Sequence, residues 1–197
     1  MKKLLLVLVS AYLAVSSPAA MADQDASSIY PEKKAFDDYV FGQPLRLDLS
    51  QIKPAETTKS SAHAENTTFA PAAPLSQVRV IAVGSNNIGW ENIPVGAQAT
   101  VQDHGGAFLA VAVLEMGYGG NPIARMNGGV VPSASIFRRD TLCFVNGSAA
   151  IPCPPGNTVA GFIVYWDVSG NQNGFFQHTN TSLNSPWNTL SAQISIR

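Results

Sequence analysis

The stretch Asp103-His104-Gly105-Gly106 holds the side chains best suited to chemistry in the second half of this 197-residue chain. A histidine can act as a general base or metal ligand near neutral pH. His178, in FFQHT, is the other histidine of this half. Together with Asp103 and His104 it forms one hypothesis, a metal-assisted hydrolase. Glycine also permits positive φ and aspartate often hydrogen-bonds its own turn, so we interpret DHGG as a turn.

Other catalytic signatures are missing from the sequence. Ser85 in VGSNN and Ser169 in VSGNQ do not fit the GxSxG nucleophile elbow. A Ser-His-Asp group assembled from distant positions stays open, because such triads are defined by geometry and not by order. No histidine pair has the HExxH spacing and no glycine loop ends in GK[ST]. We therefore predict no bound metal and no cofactor, and we lean towards a protein that is not an enzyme.

Three aromatic residues lie in connections rich in glycine or asparagine: Trp90 in NNIGWENIP, Tyr118 in MGYGGNP and Trp187 in NSPWNTL. Flat rings beside amide side chains could stack on sugar rings while the amides bind hydroxyl groups. Alternatively, each ring plugs the edge of the core with its polar atom satisfied locally. Both interpretations remain open for all three residues.

The first 22 residues are typical of a secretory signal peptide. Lys2 and Lys3 precede an apolar run from Leu4 to Val15, and Ala20-Met21-Ala22 provides a cleavage site after Ala22. This run is shorter than the roughly 20 residues that a membrane-spanning helix needs. We predict a secreted or periplasmic protein whose mature chain has no membrane span.

The two cysteines, Cys143 and Cys153, lie in the part predicted to be exported, where a disulfide persists. Asn146-Gly147 between them is a strong hairpin signal. We therefore predict a disulfide across a hairpin.

Charge divides the chain near Pro74. Residues 23–75 carry five basic and eight acidic residues, whereas residues 76–197 carry five of each and no lysine. A neutral, lysine-free domain does not suit a nucleic-acid surface. We predict a flexible segment over 23–75, with a short helix in YPEKKAFDDYVF and an edge strand in PLRLDLS. Whether this segment is a propeptide, a spacer or a docking arm stays open.

The second half is predicted to be all-β. AQATVQ (97–102) and LSAQISIR (190–197) alternate strictly, as strands with one solvated face do. VRVIAV (78–83), AFLAVAVLEM (107–116) and GFIVYWDV (161–168) are apolar on both faces and predict central strands. Shorter strands are expected in SASIF, TLCFV and GFFQHT. About seven or eight strands joined by Gly, Asn and Pro turns indicate an antiparallel β-sandwich or flattened barrel over residues 76–197.

The succession VGSNNIGWENI, then DHGG with AVAVLEMGYGG, then SPWNTLSAQISI resembles the YolA-type family of small secreted bacterial proteins with a domain of unknown function. The resemblance covers Leu75 to Arg197. The Cys143–Cys153 segment is not part of that pattern. The family implies no established activity, so the resemblance assigns no role to DHGG.

The leading hypothesis is an exported binding module for a glycan, a cell-envelope component or a protein, with Trp90, Tyr118 and Trp187 as its ligand-binding residues. The first alternative is the hydrolase that would use Asp103, His104 and His178. A secreted toxin or competition factor is the third.

Overall fold

A computed structural model describes residues 47–53 and 72–197. All described residues belong to a single compact unit. The predicted signal peptide, the predicted helix in YPEKKAFDDYVF and most of the predicted flexible segment lie outside the described residues.

The described residues form two antiparallel sheets, which confirms the predicted all-β, two-layer fold. The six-stranded sheet has the order β2-β1-β3-β8-β6-β7 and the four-stranded sheet the order β10-β9-β4-β5. The strands are β1 (Gln77–Ser85), β2 (Gly89–Asn92), β3 (Leu109–Met116), β4 (Ile123–Met126), β5 (Gly129–Val131), β6 (Ile136–Val145), β7 (Ser148–Ala150), β8 (Gly161–Asp167), β9 (Gly174–Thr181) and β10 (Thr189–Ile196).

The long strands match the sequence patterns, and the short ones do not follow from them. β1, β3, β8 and β10 fall where alternating or fully apolar runs predict strands. In β10 the side chains of Ile194 and Ile196 are buried and those of Ser191, Gln193 and Ser195 exposed, as the alternation predicts. Ten strands form instead of the predicted seven or eight. The additional strands are short: β2, β4, β5 and β7 have only three or four residues each, too few for an alternating or apolar run to be recognised in the sequence.

The strand predicted over residues 97–102 is wrong. Only Ala99 forms a bridge, to Ser195 of β10. The packing follows the alternation from Ala97 to Ala99 and then reverses it. Thr100 is buried, and its hydroxyl donates to the carbonyl of Gln102, whereas Val101 is 78% exposed. The segment instead follows the outer edge of β10, where Ser195 donates to the Gln98 carbonyl and accepts from Thr100.

Both faces of the six-stranded sheet are apolar. The inner face packs on the four-stranded sheet through a cluster that includes Val83, Val111, Val164, Phe176 and Ile194. The outer face carries a second cluster, which includes Ile81, Leu114, Leu142, Ile163 and Tyr165. The outer cluster therefore needs its own cover.

Residues 47–53, which we call the strap, provide part of that cover. Ile52 is buried in the outer cluster and Leu47 and Leu49 pack against it. The edge strand predicted here is not formed in its described part: Leu49–Gln51 is a 3-10 helix, and the carboxylate of Asp48 accepts a hydrogen bond from Ser50 N at its start. Local capping by aspartate competes with extended pairing, which the Leu alternation alone does not reveal.

Two hairpins turn at Asn-Gly pairs. Asn127-Gly128 joins β4 to β5 and Asn146-Gly147 joins β6 to β7, and all four residues have positive φ, as a type I′ turn requires. A disulfide links Cys143 in β6 to Cys153 beyond β7, which confirms the predicted bridge.

Within the described residues, no helix is long and apolar enough to span a membrane.

The contact between Gly84 and Trp90 gives a test of the outer face. These two residues pair across β1 and β2, and a Cβ at position 84 would come within 2.8 Å of the indole ring. We expect G84A to displace the indole and lower the free energy of unfolding by about 1–3 kcal/mol, the usual cost of overpacking.

Denaturant unfolding followed by tryptophan fluorescence measures both effects. G129A is the matched control, because a Cβ there makes only an ordinary contact with the carbonyl of Met126. Equal stability of G84A and the parent chain would contradict this packing.

Candidate functional site

DHGG forms the loop that leads into β3. Asp103 is exposed, and its carboxylate accepts a hydrogen bond from Gly105 N at 3.2 Å. Gly106 has φ of +122°. These are the local features of an aspartate turn.

His104, in contrast, points into the domain and is fully buried. Its Nδ1 lies 3.3 Å from Ser85 Oγ, at the end of β1, and its Nε2 lies 2.9 Å from Glu91 Oε2 in β2. Ser85 is also fully buried, and its hydroxyl oxygen accepts a hydrogen bond from Ile88 N. The result is a Ser85–His104–Glu91 chain of hydrogen bonds, in which the serine and the histidine are buried and the glutamate is half-buried.

Glu91 holds the loop in place. Its two carboxylate oxygens accept hydrogen bonds from the backbone amides of Val101 at 2.7 Å and Gln102 at 3.0 Å, besides the bond from His104. Burial acts to raise the pKa of Glu91, but the two amide donors and His104 outweigh it, and the pKa is lowered from its ordinary value. Glu91 is therefore ionised at neutral pH.

His178 lies in β9, between the sheets, and is fully buried. Trp166 Nε1 donates to its Nδ1 at 3.1 Å, and its Nε2 lies 2.9 Å from Glu115 Oε1. Because an indole N–H can only donate, Nδ1 of His178 must be the acceptor. The ring proton is therefore on Nε2, which donates to the Glu115 carboxylate.

Glu115, in β3, is the centre of this second network. Besides His178, it accepts from Asn180 Nδ2 at 2.7 Å and from Arg139 Nη2 at 3.2 Å. The Arg139 guanidinium lies over the Phe162 ring at 4.3 Å. A fully buried carboxylate with three donors is satisfied without a ligand.

The two histidines do not meet. His178 pairs with Ala192 in the sheet, whereas the backbone N–H of His104 binds the carbonyl of Arg197. Ala192 and Arg197 are five residues apart along the extended chain of β10 and its end, about 17 Å at 3.4 Å per residue. The described residues contain no group of three or more His, Cys, Asp or Glu side chains placed to hold a metal. Asp103, His104 and His178 therefore have no common site.

Two of the three candidate aromatic rings are packed into the domain. Trp90 lies over Gly84 and meets Tyr165 edge-on, with centroids 6.4 Å apart. Tyr118 meets Phe162 edge-on at 5.3 Å, and its hydroxyl is 3.5 Å from the carbonyl of Val159.

Trp187 is different. It is 65% exposed, and Leu183 in the same loop is 58% exposed. Its φ of +51° is the left-handed region, which a bulky residue rarely adopts and which costs of order 1–3 kcal/mol. The chain thus holds a large aromatic ring in solvent against its backbone preference.

The loop that carries Trp187 is fixed by polar contacts. Ser182 Oγ donates to the carbonyl of Asn184 at 2.7 Å and accepts from Leu75 N at 3.0 Å. Asn184 Nδ2 donates to the Ala72 carbonyl at 2.6 Å, and Trp187 N donates to the Asn184 carbonyl at 2.8 Å.

Sequence reasoning missed Ser85 and Glu91 as partners of His104, and Glu115 as the partner of His178. These partners lie 13 to 63 residues from their histidines, and no local spacing marks them. A shallow hollow of about 530 Å³ beside Asp103 and Arg197 is lined by neither histidine nor by Trp187.

The hydrogen bonds that the Glu91 carboxylate accepts from Val101, Gln102 and His104, which we call the Glu91 clamp, predict how the stability of the fold depends on pH. The pKa of Glu91 in the folded chain lies below its ordinary value of 4.5. The ionised carboxylate therefore contributes its full stabilisation of the fold above pH 4.5, and this contribution is lost as the pH falls through the lower pKa of the folded state. We expect the parent chain to have a higher melting temperature than E91Q at pH 7, and we expect this difference in melting temperature to shrink in acid. Thermal unfolding between pH 3 and 7 measures this, with D103N as an exposed control. A difference that does not change with pH would contradict the clamp.

A comparison with family models matches residues 70–196 to a domain of unknown function, DUF4879. No curated protein matches the chain. The matched range contains both sheets, both buried histidines and the Trp187 loop. The chain belongs to the DUF4879 family.

Proposed function

We propose that this protein is an exported, YolA-type binding module whose Trp187 loop holds an uncharged glycan of the cell envelope. The single observation that carries the proposal is the exposed Trp187 ring, held at a positive φ by an ordered loop. A residue remains in such an unfavourable backbone conformation only where the surrounding structure enforces it, and such residues cluster at functional sites.

The chemistry around the ring favours a neutral, hydroxyl-rich ligand. Residues 181–189, TSLNSPWNT, include no charged side chain. Leu183, an exposed apolar residue of the same loop, lies over Gly120, where a Cβ would come within 2.4 Å of the leucine methyl group. Indole and leucine can cover the apolar face of a sugar, and nearby Asn and Thr side chains can bind its hydroxyl groups.

The fixed loop supports affinity. Hydrogen bonds from Ser182 and Asn184 order the backbone before any ligand arrives. A preorganised site loses little conformational entropy on binding, so a small contact area still gives useful affinity.

Export is part of the same proposal. The apolar run and cleavage site of residues 1–22 support it. The disulfide between Cys143 and Cys153 is compatible with an oxidising compartment.

The test is binding to isolated envelope polysaccharide and to a glycan array. We expect W187A to weaken binding at least about tenfold, equivalent to about 1.4 kcal/mol, without lowering the melting temperature. F175A is the matched control, because Phe175 is an exposed aromatic (44%) on β9 outside the loop. Unchanged binding by W187A would overturn the role of the loop.

A second candidate, a serine hydrolase, is favoured by one observation, the Ser85–His104–Glu91 chain. In such an enzyme Ser85 Oγ would attack the substrate while its proton passes to His104 Nδ1, and ionised Glu91 would stabilise the charged ring. The full burial of Ser85 opposes this role, since a substrate must approach Oγ.

Reaction with a phosphonofluoridate separates the two candidates. The probe bonds through phosphorus to an activated serine oxygen, fluoride leaves, and the serine proton goes to the base. We expect no label on Ser85 in the folded chain, as for the exposed Ser191 that serves as the control. Label on Ser85 that disappears in H104Q would place the hydrolase first.

A further inference from the structure

A cavity of about 170 Å³ lies between the strap and the edge of the six-stranded sheet. Asp48 and Gln51 of the strap line one side, and Arg79, Asn92 and Ile93 line the other. One water molecule occupies about 30 Å³ in the liquid, so the strap covers this part of the sheet without filling it.

Arg79 is the charged group of the cavity, and it is incompletely paired. Its Nε is buried and has no hydrogen-bond partner. Its Nη1 makes a single long contact, 3.5 Å, with the carbonyl of Ile93. Within residues 47–53 and 72–197 no acidic side chain forms an ion pair with it.

Burial makes this arrangement costly. Desolvation disfavours the charged form and lowers the pKa of Arg79, and the negative charge of Asp48 only partly offsets it. A partly buried cation is normally paired with an anion or fully hydrogen-bonded. Arg79 has neither among the described residues.

Asp48 does not serve as that anion. Its carboxylate turns back onto its own 3-10 helix, where it accepts from Ser50 N at 3.0 Å, Ser50 Oγ at 2.5 Å and Gln51 Nε2 at 3.0 Å. These bonds lower the pKa of Asp48 and keep it ionised. The strap therefore brings a negative charge to the cavity rim but leaves the guanidinium unpaired.

We propose that the cavity beside Arg79 is a binding site for a ligand with a single carboxylate group. A carboxylate matches the planar fork of Nε and Nη and would supply the acceptor that Nε lacks. Ile81 and Ile93 offer apolar surface to an alkyl group attached to it. Asp48 at the rim disfavours a dianion such as phosphate, because the like charges repel.

The carboxylate has two possible sources, a small organic acid or the C-terminus of a peptide. Acetate and propionate represent the first, and alanyl-alanine with its amidated counterpart represents the second. The amidated peptide has the same side chains without the terminal charge, so it isolates the contribution of the carboxylate.

The direct readout is the Arg79 Nε–H signal in ¹⁵N NMR spectra of the full mature chain, titrated at constant ionic strength. We expect acetate to shift it saturably in the millimolar range, and phosphate to do so more weakly. R79Q should abolish the saturable response in the neighbouring backbone signals of Asn92 and Ile93. R125Q is the matched control, because Arg125 lies on β4 of the other sheet.

Two further variants guard against a folding artefact. D48N keeps a residue that caps well and removes the rim charge, so carboxylates should bind at least about threefold more tightly as the like-charge repulsion is lost. R79K keeps the charge but not the fork, so binding should weaken while the melting temperature stays close to that of the parent chain.

The results separate cleanly. Tighter binding of the free peptide than of acetate, with none by the amidated peptide, assigns the site to a C-terminus, and equal binding of peptide and acetate assigns it to small acids. No saturable shift with any carboxylate, or a response to phosphate equal to that to acetate, would overturn the proposal. Failure here leaves the glycan proposal untouched, since Trp187 lies outside this cavity.

Discussion

The organisation of the domain depends on one constraint: β3 and β8 present apolar side chains on both faces of the sheet. A sheet with two apolar faces must be covered twice, because burial of apolar area contributes roughly 25 cal/mol per Å². The four-stranded sheet covers the inner face. On the outer face, Trp90 and Phe137 pack on the cluster from strands of the same sheet, and the strap covers it from elsewhere in the chain. The strap is thus a consequence of the sheet, and so is the underfilled space beside Arg79.

A buried carboxylate, Glu115, and a half-buried one, Glu91, organise the polar contacts of the domain. Glu115 joins β3 to β9 and β6 through His178, Asn180 and Arg139, so it connects the two layers at a fixed relative position. Glu91 fastens the irregular segment 97–104 to β2, and backbone hydrogen bonds with Ser195 hold the same segment along the edge of β10. Both histidines use both ring nitrogens in these networks. Such saturation is typical of side chains that determine a structure rather than bind a ligand.

The fold could be predicted from the sequence where a single strand carries its own signal. The apolar run around β3 and the alternation in β10 are local patterns, and both were sufficient. The alternation in AQATVQ and PLRLDLS has the same appearance but is overruled by side-chain contacts: Glu91 captures the amides that follow Thr100, and Asp48 caps its own turn. The contact between Glu91 and the amides of Val101 and Gln102 cannot be recognised before the strands are placed, whereas the Asp48 cap is local and is not marked by the leucine alternation.

The candidate site was less accessible to sequence reasoning. Trp90, Tyr118 and Trp187 have similar neighbours in the sequence, yet only Trp187 is largely exposed. The difference in exposure arises from the residues that each ring contacts. Trp90 packs on Gly84 and Tyr165, and Tyr118 packs on Phe162. Pairings such as Ser85 with His104 bring together residues 19 positions apart, so only the folded chain reveals them.

Lys53, the last described residue of the strap, has a practical consequence. It is the only lysine among residues 47–53 and 72–197, so both sheets lack primary amines on their side chains. Amine-directed reagents would therefore spare the sheets and attach upstream of them. Surface immobilisation through amines would leave the β-domain unmodified, and a carboxyl–amine zero-length crosslink within the described residues would have to start at the strap.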